Sequence, residues 1–313
     1  EERYLEQTFV LHNYNHMLEQ LRQLPAKPTV AVAAAADKMV LECIARARKE
    51  NAANAILVGP GEKIISILRS LGENPSDYDI ETTPDEPKIM ADTAVELIKR
   101  EDADFLMKGL IETSDFLRPV VKKGNNLRTG RTMSHLAFNS LPDYPKLLIN
   151  TDGGMCTYPD LQTKRDILTN AFDTLHALGY SCAKAAVLCC KETVDAKMPE
   201  TLDAHTLEEE SRKGLFGTDI VVGPISYDIA MSPTIAKEKL FSCEYCGDFD
   251  VILQPNIHAG NILGKALLIN GKATLAGIVA GARIPIVLTS RGSSAEEKFL
   301  SIALAALVAS GQH

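Results

Sequence analysis

Nine short apolar segments alternate with amphipathic segments along almost the whole chain. Alternation of this kind predicts βαβ units, in which helices cover both faces of a mostly parallel sheet, so the expected fold class is α/β. The strands are predicted at 29–34, 55–58, 105–108, 147–150, 185–188, 219–222, 251–253, 274–279 and 284–288. Helices are predicted between them, among them 114–123, 226–239 and 294–310, and a leading helix is predicted at 4–24.

The length of 313 residues favours two domains over one. A stretch rich in Pro, Asp and Gly, 141–160, is the expected boundary. The last predicted helix is rich in Ala and Leu, and we expect it to fold back on the first half of the chain. The prediction is therefore a discontinuous first domain, 1–144 plus 280–313, and a second domain, 145–279.

The overall charge and composition limit the kinds of partner and the cellular location that we expect for this protein. The formal net charge of −8 argues against a nucleic-acid partner or an anionic membrane surface. The charge-free apolar stretches, such as 273–282, are too short to cross a bilayer. Seven scattered cysteines, an odd number without the spacing of a disulfide scaffold, favour a reducing, cytoplasmic location.

The segment from Ile284 to Ser294 runs from a predicted strand into Ser290, Arg291 and Gly292 before the last helix begins. Open α/β sheets bind ligands at the carboxyl ends of their strands, and helix N-termini favour anions. A guanidinium at this place suits phosphate or carboxylate. On the motif alone, a strand-to-helix turn with Arg291 in a surface ion pair is an equal alternative.

A second region, 108–135, reverses the charge of the chain. Between Phe116 and His135 it carries five basic residues and no acidic residue, which is the footprint expected for an anionic ligand. Arg118 and Lys122 are spaced i and i+4, so both are predicted on one helical face. A solvated basic face at a helix C-terminus is the alternative.

A third region, 254–265, places two glycines inside a predicted helix. Gly260 and Gly264 are spaced i and i+4 and leave one face bare. Each costs about 1 kcal/mol relative to alanine, so tight packing or a ligand is expected there. Asn261 and Lys265 project a pair of donors from the neighbouring stripe.

Seven short blocks, in order from Lys108 to the C-terminal region, resemble the phosphate acetyl/butyryltransferase family. The blocks are KGLIETS at 108–114, LRP at 117–119, GRTMSH at 130–135, NTDGGMC at 150–156, GPISYD at 223–228, P…AGN…K at 255–265 and TSRG at 289–292. The central blocks are more similar to the butyryltransferases than to the acetyltransferases.

This resemblance implies an isocitrate/isopropylmalate-dehydrogenase-like architecture of two α/β/α domains, with the active site in the cleft between them, in a homodimer or larger homo-oligomer. It also implies the reversible reaction of acyl-CoA and phosphate to acyl phosphate and CoA, with a short, butyryl-like acyl group. A phosphate acetyltransferase is the alternative. Coenzyme A is then a substrate, and no cofactor, metal or covalent acyl-enzyme is expected.

The resemblance and the motifs together give the candidate site residues. The expected catalytic residues are Ser290, Arg291 and Glu297, with Ser290 as oxyanion donor and Glu297 as base for the CoA thiol. The expected substrate-binding residues are Lys108, Gly109, Thr113, Arg118, Arg131, Ser134, Asp152, Gly260, Asn261 and Lys265.

Two of these candidates have an alternative role. The acetyltransferases carry Asp at the position of Glu297, and the spacing Ser294-x-x-Glu297 is also that of a capping box, so base and cap both stay open. Asp152 follows a predicted strand, where it either contacts the substrate or holds a loop turn.

Two other classes of function share these features. A decarboxylating NAD(P)-dependent dehydrogenase of the same architecture would need an aspartate cluster for Mg²⁺ or Mn²⁺, and no helix face of this sequence shows one. A non-catalytic CoA-binding protein would be favoured if the base were missing.

We expect Arg291→Ala to fold like the wild type and to lose about a hundredfold or more in turnover, because it removes an anion-binding group from a strand end. Steady-state turnover and the thermal unfolding temperature measure the two effects. A fully active variant of equal stability would assign Arg291 to a surface ion pair.

Overall fold

In the computed structural model, which describes residues 9–289 and 292–311, eleven strands alternate with eleven α-helices. The strands are β1 Thr29–Ala33, β2 Asn54–Gly59, β3 Asp79–Thr82, β4 Phe105–Lys108, β5 Ser134–Ser140, β6 Leu148–Thr151, β7 Lys184–Leu188, β8 Ile220–Ile225, β9 Val251–Leu253, β10 Thr274–Ala280 and β11 Ile286–Val287. The helices are α1 Tyr14–Gln23, α2 Lys38–Lys49, α3 Gly61–Ser70, α4 Pro87–Lys99, α5 Thr113–Val121, α6 Leu161–Ala177, α7 Pro199–Arg212, α8 Tyr227–Met231, α9 Pro233–Glu238, α10 Ile257–Ile269 and α11 Ala295–Ser310.

The chain divides into two compact units. Unit I comprises Tyr14–Arg131 and Ala276–His313, and unit II comprises the residues up to Asn13 with Thr132–Leu275. The predicted boundary at 144/145 lies in the loop that joins β5 to β6. These two strands pair in antiparallel fashion, with Phe138 opposite Ile149, so the hairpin stays in one unit and the division falls at 131/132 instead.

The strand order in unit I is β3-β2-β1-β4-β11-β10. All neighbours in it are parallel except β10 and β11. The register places Ala33 of β1 opposite Lys108 of β4, and Met107 of β4 opposite Val287 of β11. The carboxyl ends of these three strands therefore lie at one edge of the sheet.

Helix α11 belongs to the core of unit I. Its residues from Lys298 to Ala309 are all buried, and it packs against α1 and α2. A helix that is apolar on every side is stable only when it is covered on every side. The prediction that the last helix folds back on the first half of the chain is confirmed.

Unit II has the strand order β5-β6-β9-β7-β8, in which only β5 and β6 are antiparallel. Both units thus have a mostly parallel sheet flanked by helices, as the alternation in the sequence predicts.

Two strands, β3 and β5, were not predicted from the sequence. Strand β3 is short and polar, and it lies at the edge of its sheet, paired only with β2. Strand β5 carries Asn139, whose buried amide nitrogen donates to the carbonyls of Ala137 at 2.8 Å and Leu148 at 3.3 Å. A polar residue inside a strand breaks the apolar pattern and looks like a loop residue in the sequence.

Three predicted helices have different limits. Helix α1 begins at Tyr14, and residues 9–13 before it are not helical because Leu11 is held by other partners: its N–H donates to the Tyr180 hydroxyl at 2.8 Å, and its carbonyl accepts from Leu147 at 2.9 Å. The predicted helical residues 4–8 lie outside the described residues. The predicted helix 226–239 is two helices, because Ser232 caps a new start at Pro233. The predicted helix 114–123 is α5, which ends at Val121.

Candidate active site

A close approach of two chain segments positions Lys108 at the sheet edge of unit I. The N–H of Gly109 donates to the Ala33 carbonyl at 2.9 Å, and the N–H of Leu110 donates to the Ala34 carbonyl at 2.9 Å. A Cβ on Gly109 would lie 2.2 Å from the Ala34 oxygen, so only glycine fits. Gly109 therefore allows the segment after β4 to pack closely beside the segment after β1. Lys108 is the last residue of β4, directly before this contact.

Ala34 itself has a left-handed backbone, with φ of 57°. This conformation costs a non-glycine residue about 1–2 kcal/mol. Backbone outliers of this kind concentrate at functional sites, and this one lies directly after β1, at the edge that carries Lys108.

A cavity of about 240 Å³ lies at these strand ends. Its walls come from the start of α2, the segment after β4, the segment after β11, and the first turn of α11. The lining residues are Asp37, Met39, Val40, Lys108, Gly109, Leu110, Thr289 and Lys298. Its place at the carboxyl ends of parallel strands is the usual place for a ligand in a sheet of this class.

Lys298 is a lining residue that the sequence analysis missed. Its side chain is buried, with the residue 5% exposed, and its ammonium donates to the Ser293 carbonyl at 2.7 Å. A cation in the first turn of a helix is disfavoured by the helix dipole, and Lys298 is the one basic residue of α11. That mismatch is the signal that could have identified it.

The first turn of α11 also fixes Glu297. The Ser294 hydroxyl accepts from the Glu297 N–H at 3.0 Å and so caps the helix, and the Ser293 hydroxyl donates to Glu297 Oε1 at 2.7 Å. The half-buried carboxylate is thereby held in one orientation. A carboxylate that accepts one hydroxyl retains further lone pairs, so this geometry is compatible with both a cap and a base.

The two residues at the centre of the predicted site, Ser290 and Arg291, lie outside the described residues. The residue before them, Thr289, lines the cavity, and Ser293 accepts the Lys298 hydrogen bond on the other side of the pair.

The basic segment after β4 is placed differently from the prediction. Lys122 follows the end of α5 in an extended conformation, so the prediction that it shares a helical face with Arg118 is wrong. Arg118 pairs with Asp115 at 2.9 Å on an exposed surface, where such a pair contributes about 0–1 kcal/mol. Thr113 is the exposed first residue of α5, and the Arg131 N–H donates to the Thr129 hydroxyl at 3.3 Å.

In unit II, Asp152 organises the loop after β6. The buried carboxylate accepts from the N–H groups of His135 at 2.8 Å, Gly154 at 2.6 Å and Met155 at 2.8 Å. Of the two roles left open by the sequence, these bonds favour the loop turn. Burial, aided by the charge of Asp152, raises the pKa of the nearby Cys156 thiol to about 12, so this thiol is protonated at neutral pH.

The loop after β6 packs directly on α10. A Cβ on Gly260 would lie 2.6 Å from the Asp152 oxygen and 2.8 Å from the Gly153 Cα. Beside this contact, the Asn261 amide donates to the Gly153 carbonyl at 3.2 Å. Tight packing therefore explains the glycine of α10, while the exposed Asn261 and Lys265 stay candidates for substrate contact.

Ser134, another expected substrate contact, is fully buried at the start of β5. Its hydroxyl accepts from the Asn170 amide at 2.9 Å, and the same amide donates to the Thr132 carbonyl at 2.8 Å. In this structure Ser134 therefore joins β5 to α6.

Within residues 9–289 and 292–311, no group of three or more His, Cys, Asp or Glu side chains is arranged to hold a metal ion. Nor does any helix in the described part of the chain combine the length and the apolar character needed to cross a membrane.

Residues 79–306 match the family described as "Phosphate acetyl/butaryl transferase", and the chain belongs to this family. The resemblance seen in the sequence blocks is thereby confirmed.

Among individual relatives, the chain is 41% identical over 300 residues to the phosphate butyryltransferase of Clostridium acetobutylicum, covering 96% of this chain and 99% of that protein. It is 37% identical over 280 residues to the phosphate acetyltransferase of Thermotoga maritima, covering 90% and 95%. The crystal structure of a branched-chain phosphotransacylase from Enterococcus faecalis V583 is similar with a TM-score of 0.81 and 28% identity, covering 90% of this chain and 99% of that one.

We expect Gly260→Ala to lower the free energy of unfolding by about 1–3 kcal/mol, because its methyl group meets rigid backbone of the Asp152 loop. Gly264→Ala is the matched control on the same helix, since there a Cβ meets only the Asn150 amide, at 3.2 Å. Chemical denaturation of both variants measures the difference. Equal stabilities would show that the loop does not depend on close packing at Gly260.

Proposed function

We propose that this protein transfers a short acyl group between coenzyme A and inorganic phosphate. The observation that carries the proposal is the family match over 79–306, together with relatives named as phosphate acyltransferases that cover nearly the whole chain. The cavity at the strand ends of unit I, with Lys108 and Lys298 in its wall, supports it because inorganic phosphate is an anion and coenzyme A carries anionic phosphate groups.

The proposed chemistry is direct transfer. In the direction that consumes CoA, the thiol sulfur attacks the acyl phosphate carbonyl, Glu297 takes the thiol proton, and Ser290 donates to the oxyanion that forms. Breaking of the C–O bond then releases phosphate. In reverse, a phosphate oxygen attacks the thioester, the C–S bond breaks, and Glu297 returns the proton to the leaving thiolate.

Each catalytic role has a physical reason. A thiol with a pKa of about 8.5 is only a few per cent ionised at neutral pH, so a nearby base raises the concentration of the nucleophile. One preorganised oxyanion donor is worth about 2.7–4 kcal/mol in the transition state. We assign Arg291, Arg118 and Arg131 to the phosphoryl group and the phosphates of CoA, and Asn261 and Lys265 to further substrate contacts.

A butyryl-like acyl group is proposed because the central sequence blocks resemble the butyryltransferases; acetyl is the alternative. Coenzyme A enters as a substrate, and the proposed steps use no cofactor. A cytoplasmic location is proposed from the seven cysteines, all of which are free thiols in the structure.

The direct test follows thiol release from butyryl-CoA with and without inorganic phosphate. The proposal expects release that depends on phosphate, and a panel of acyl-CoA substrates then ranks acetyl against butyryl. Release that ignores phosphate, or no release with any acyl group, would overturn it. A parallel assay for NAD(P)⁺ reduction with hydroxy acids detects the dehydrogenase alternative.

We also propose that the protein is a homo-oligomer, and the support is one face of α10. Ile262 and Ile269 are 68% and 77% exposed, and the exposed Ala266 lies between them at helical spacing. An apolar stripe of this kind is stabilised when a second surface covers it. We propose that a second copy of the chain packs against this apolar stripe.

For Glu297, we expect Glu297→Gln to keep the wild-type stability and to slow the CoA-consuming direction by about 10²–10⁴. The amide still accepts the Ser293 hydrogen bond but cannot take the thiol proton. The defect should shrink as the pH rises past the thiol pKa, because thiolate then forms without a base. Steady-state rates from neutral to alkaline pH measure this.

The matched control for this experiment is Glu296→Gln. It removes a carboxylate from the same helical turn, but this carboxylate pairs with Arg46. It should keep the wild-type rate. A wild-type rate in Glu297→Gln as well would leave Glu297 with a capping role only.

For the oligomer, we expect the double variant Ile262→Glu, Ile269→Glu to sediment as a smaller species than the wild type, because charges on the stripe oppose its burial. Leu202→Glu, on the exposed side of α7, is the control and should sediment like the wild type. Unchanged sedimentation of the double variant would place the interface elsewhere.

A further inference from the structure

Lys298 stands in two electrostatically unfavourable positions at once. Its ammonium is buried, and it lies in the first turn of α11, at the positive end of the helix dipole. Burial removes the hydration of a cation, and the dipole repels it. A charge that is retained in such a position is expected to have a ligand or a partner that offsets these costs.

The cavity beside Lys298 has the character of an anion site. Two lysines, Lys108 and Lys298, line it from different elements, β4 and α11. Among the lining residues that the structure describes, Asp37 is the one acid, and its carboxylate caps α2 by accepting from the Val40 N–H at 2.9 Å. The start of α2 also lies in the wall, so a second helix N-terminus adds positive potential.

The hydrogen bonds of the two lysines hold them at the wall. Lys108 donates to the Ile111 carbonyl at 2.8 Å, and Lys298 donates to the Ser293 carbonyl at 2.7 Å. Lys108 also donates to the Gly109 carbonyl at 3.4 Å, and backbone carbonyls such as these fix the direction of an ammonium while carrying no formal charge themselves. A lysine held in this way needs little reorganisation when it binds an anion.

We propose that Lys298, together with Lys108, binds a phosphate group of a substrate in this cavity. This inference rests on the proposed function for the identity of the substrate, and it names a residue which neither the sequence motifs nor the resemblance assigns. Two sources share the chemistry: inorganic phosphate, and the phosphates of coenzyme A. The Ser293–Lys298 bond also ties the site to the turn that orients Glu297, so binding residue and proposed base share one short segment.

The test is Lys298→Met, which keeps the length and the apolar stem of the side chain and removes its charge. Initial rates are measured with phosphate varied at saturating butyryl-CoA, and with butyryl-CoA varied at saturating phosphate. A rise of about tenfold or more in the KM for phosphate supports the proposal and assigns the cavity to inorganic phosphate. A comparable rise in the KM for butyryl-CoA alone supports it and assigns the cavity to the phosphates of CoA.

The control is Lys63→Met, which removes an exposed lysine of unit I that pairs with Asp85. It should leave both KM values unchanged. If Lys298→Met lowers kcat while both KM values stay within twofold of the wild type, Lys298 only braces the turn and the proposal is overturned. If Lys298→Met does not fold, Lys108→Met tests the same cavity from its other wall, with the same expected rise in KM and the same contradicting result.

A binding readout separates this inference from the proposed function. The thermal unfolding temperature of the wild type is measured with inorganic phosphate or CoA against chloride of equal ionic strength, and it should rise with at least one of the two. Loss of that rise in Lys298→Met supports the site even if no acyl transfer is found. If the wild type is active and the rise in unfolding temperature persists in Lys298→Met, the proposed function stands and the proposed phosphate site is overturned.

Discussion

Helix α11 is buried from Lys298 to Ala309, and the arrangement of unit I depends on that burial. Because the helix packs against α1 and α2, its position is set by the core. Its first turn then lies at the carboxyl ends of β1, β4 and β11, where Lys298 joins the wall of the cavity. A rigid element thus carries the proposed chemical groups, which keeps the geometry of a site more constant than a loop does.

The same helix end combines stabilising and destabilising electrostatics. The Ser294 hydroxyl and the Glu297 carboxylate suit a helix N-terminus, and the buried Lys298 does not. In our account, a bound phosphate group resolves this conflict. The cation that is unfavourable at this helix end would then contribute to substrate affinity, a common relation between stability and function at active sites.

Much of the fold follows from the sequence, because the apolar strands and amphipathic helices of a parallel sheet alternate visibly. The elements that the sequence did not predict correctly are those whose pattern is broken by a buried polar side chain, such as Asn139 in β5, or by tertiary hydrogen bonds, such as those of Leu11 before α1. At the candidate site, Lys108 could be predicted because it ends a strand within a motif, and it lines the cavity. Lys298 was missed because a lysine beside two glutamates in a helix is usually a surface residue. Gly260 and Ser134 were expected to contact the substrate, and the structure gives Gly260 a packing role and Ser134 a hydrogen-bonding role that the sequence does not show.

The central claim is that the acyl group passes directly between CoA and phosphate within one site. The most direct measurement is the exchange of isotopically labelled CoA into unlabelled butyryl-CoA, with and without inorganic phosphate. Our account predicts label in butyryl-CoA only when phosphate is present, because CoA is released only when phosphate accepts the acyl group. Exchange without phosphate would indicate a covalent acyl-enzyme and would contradict direct transfer.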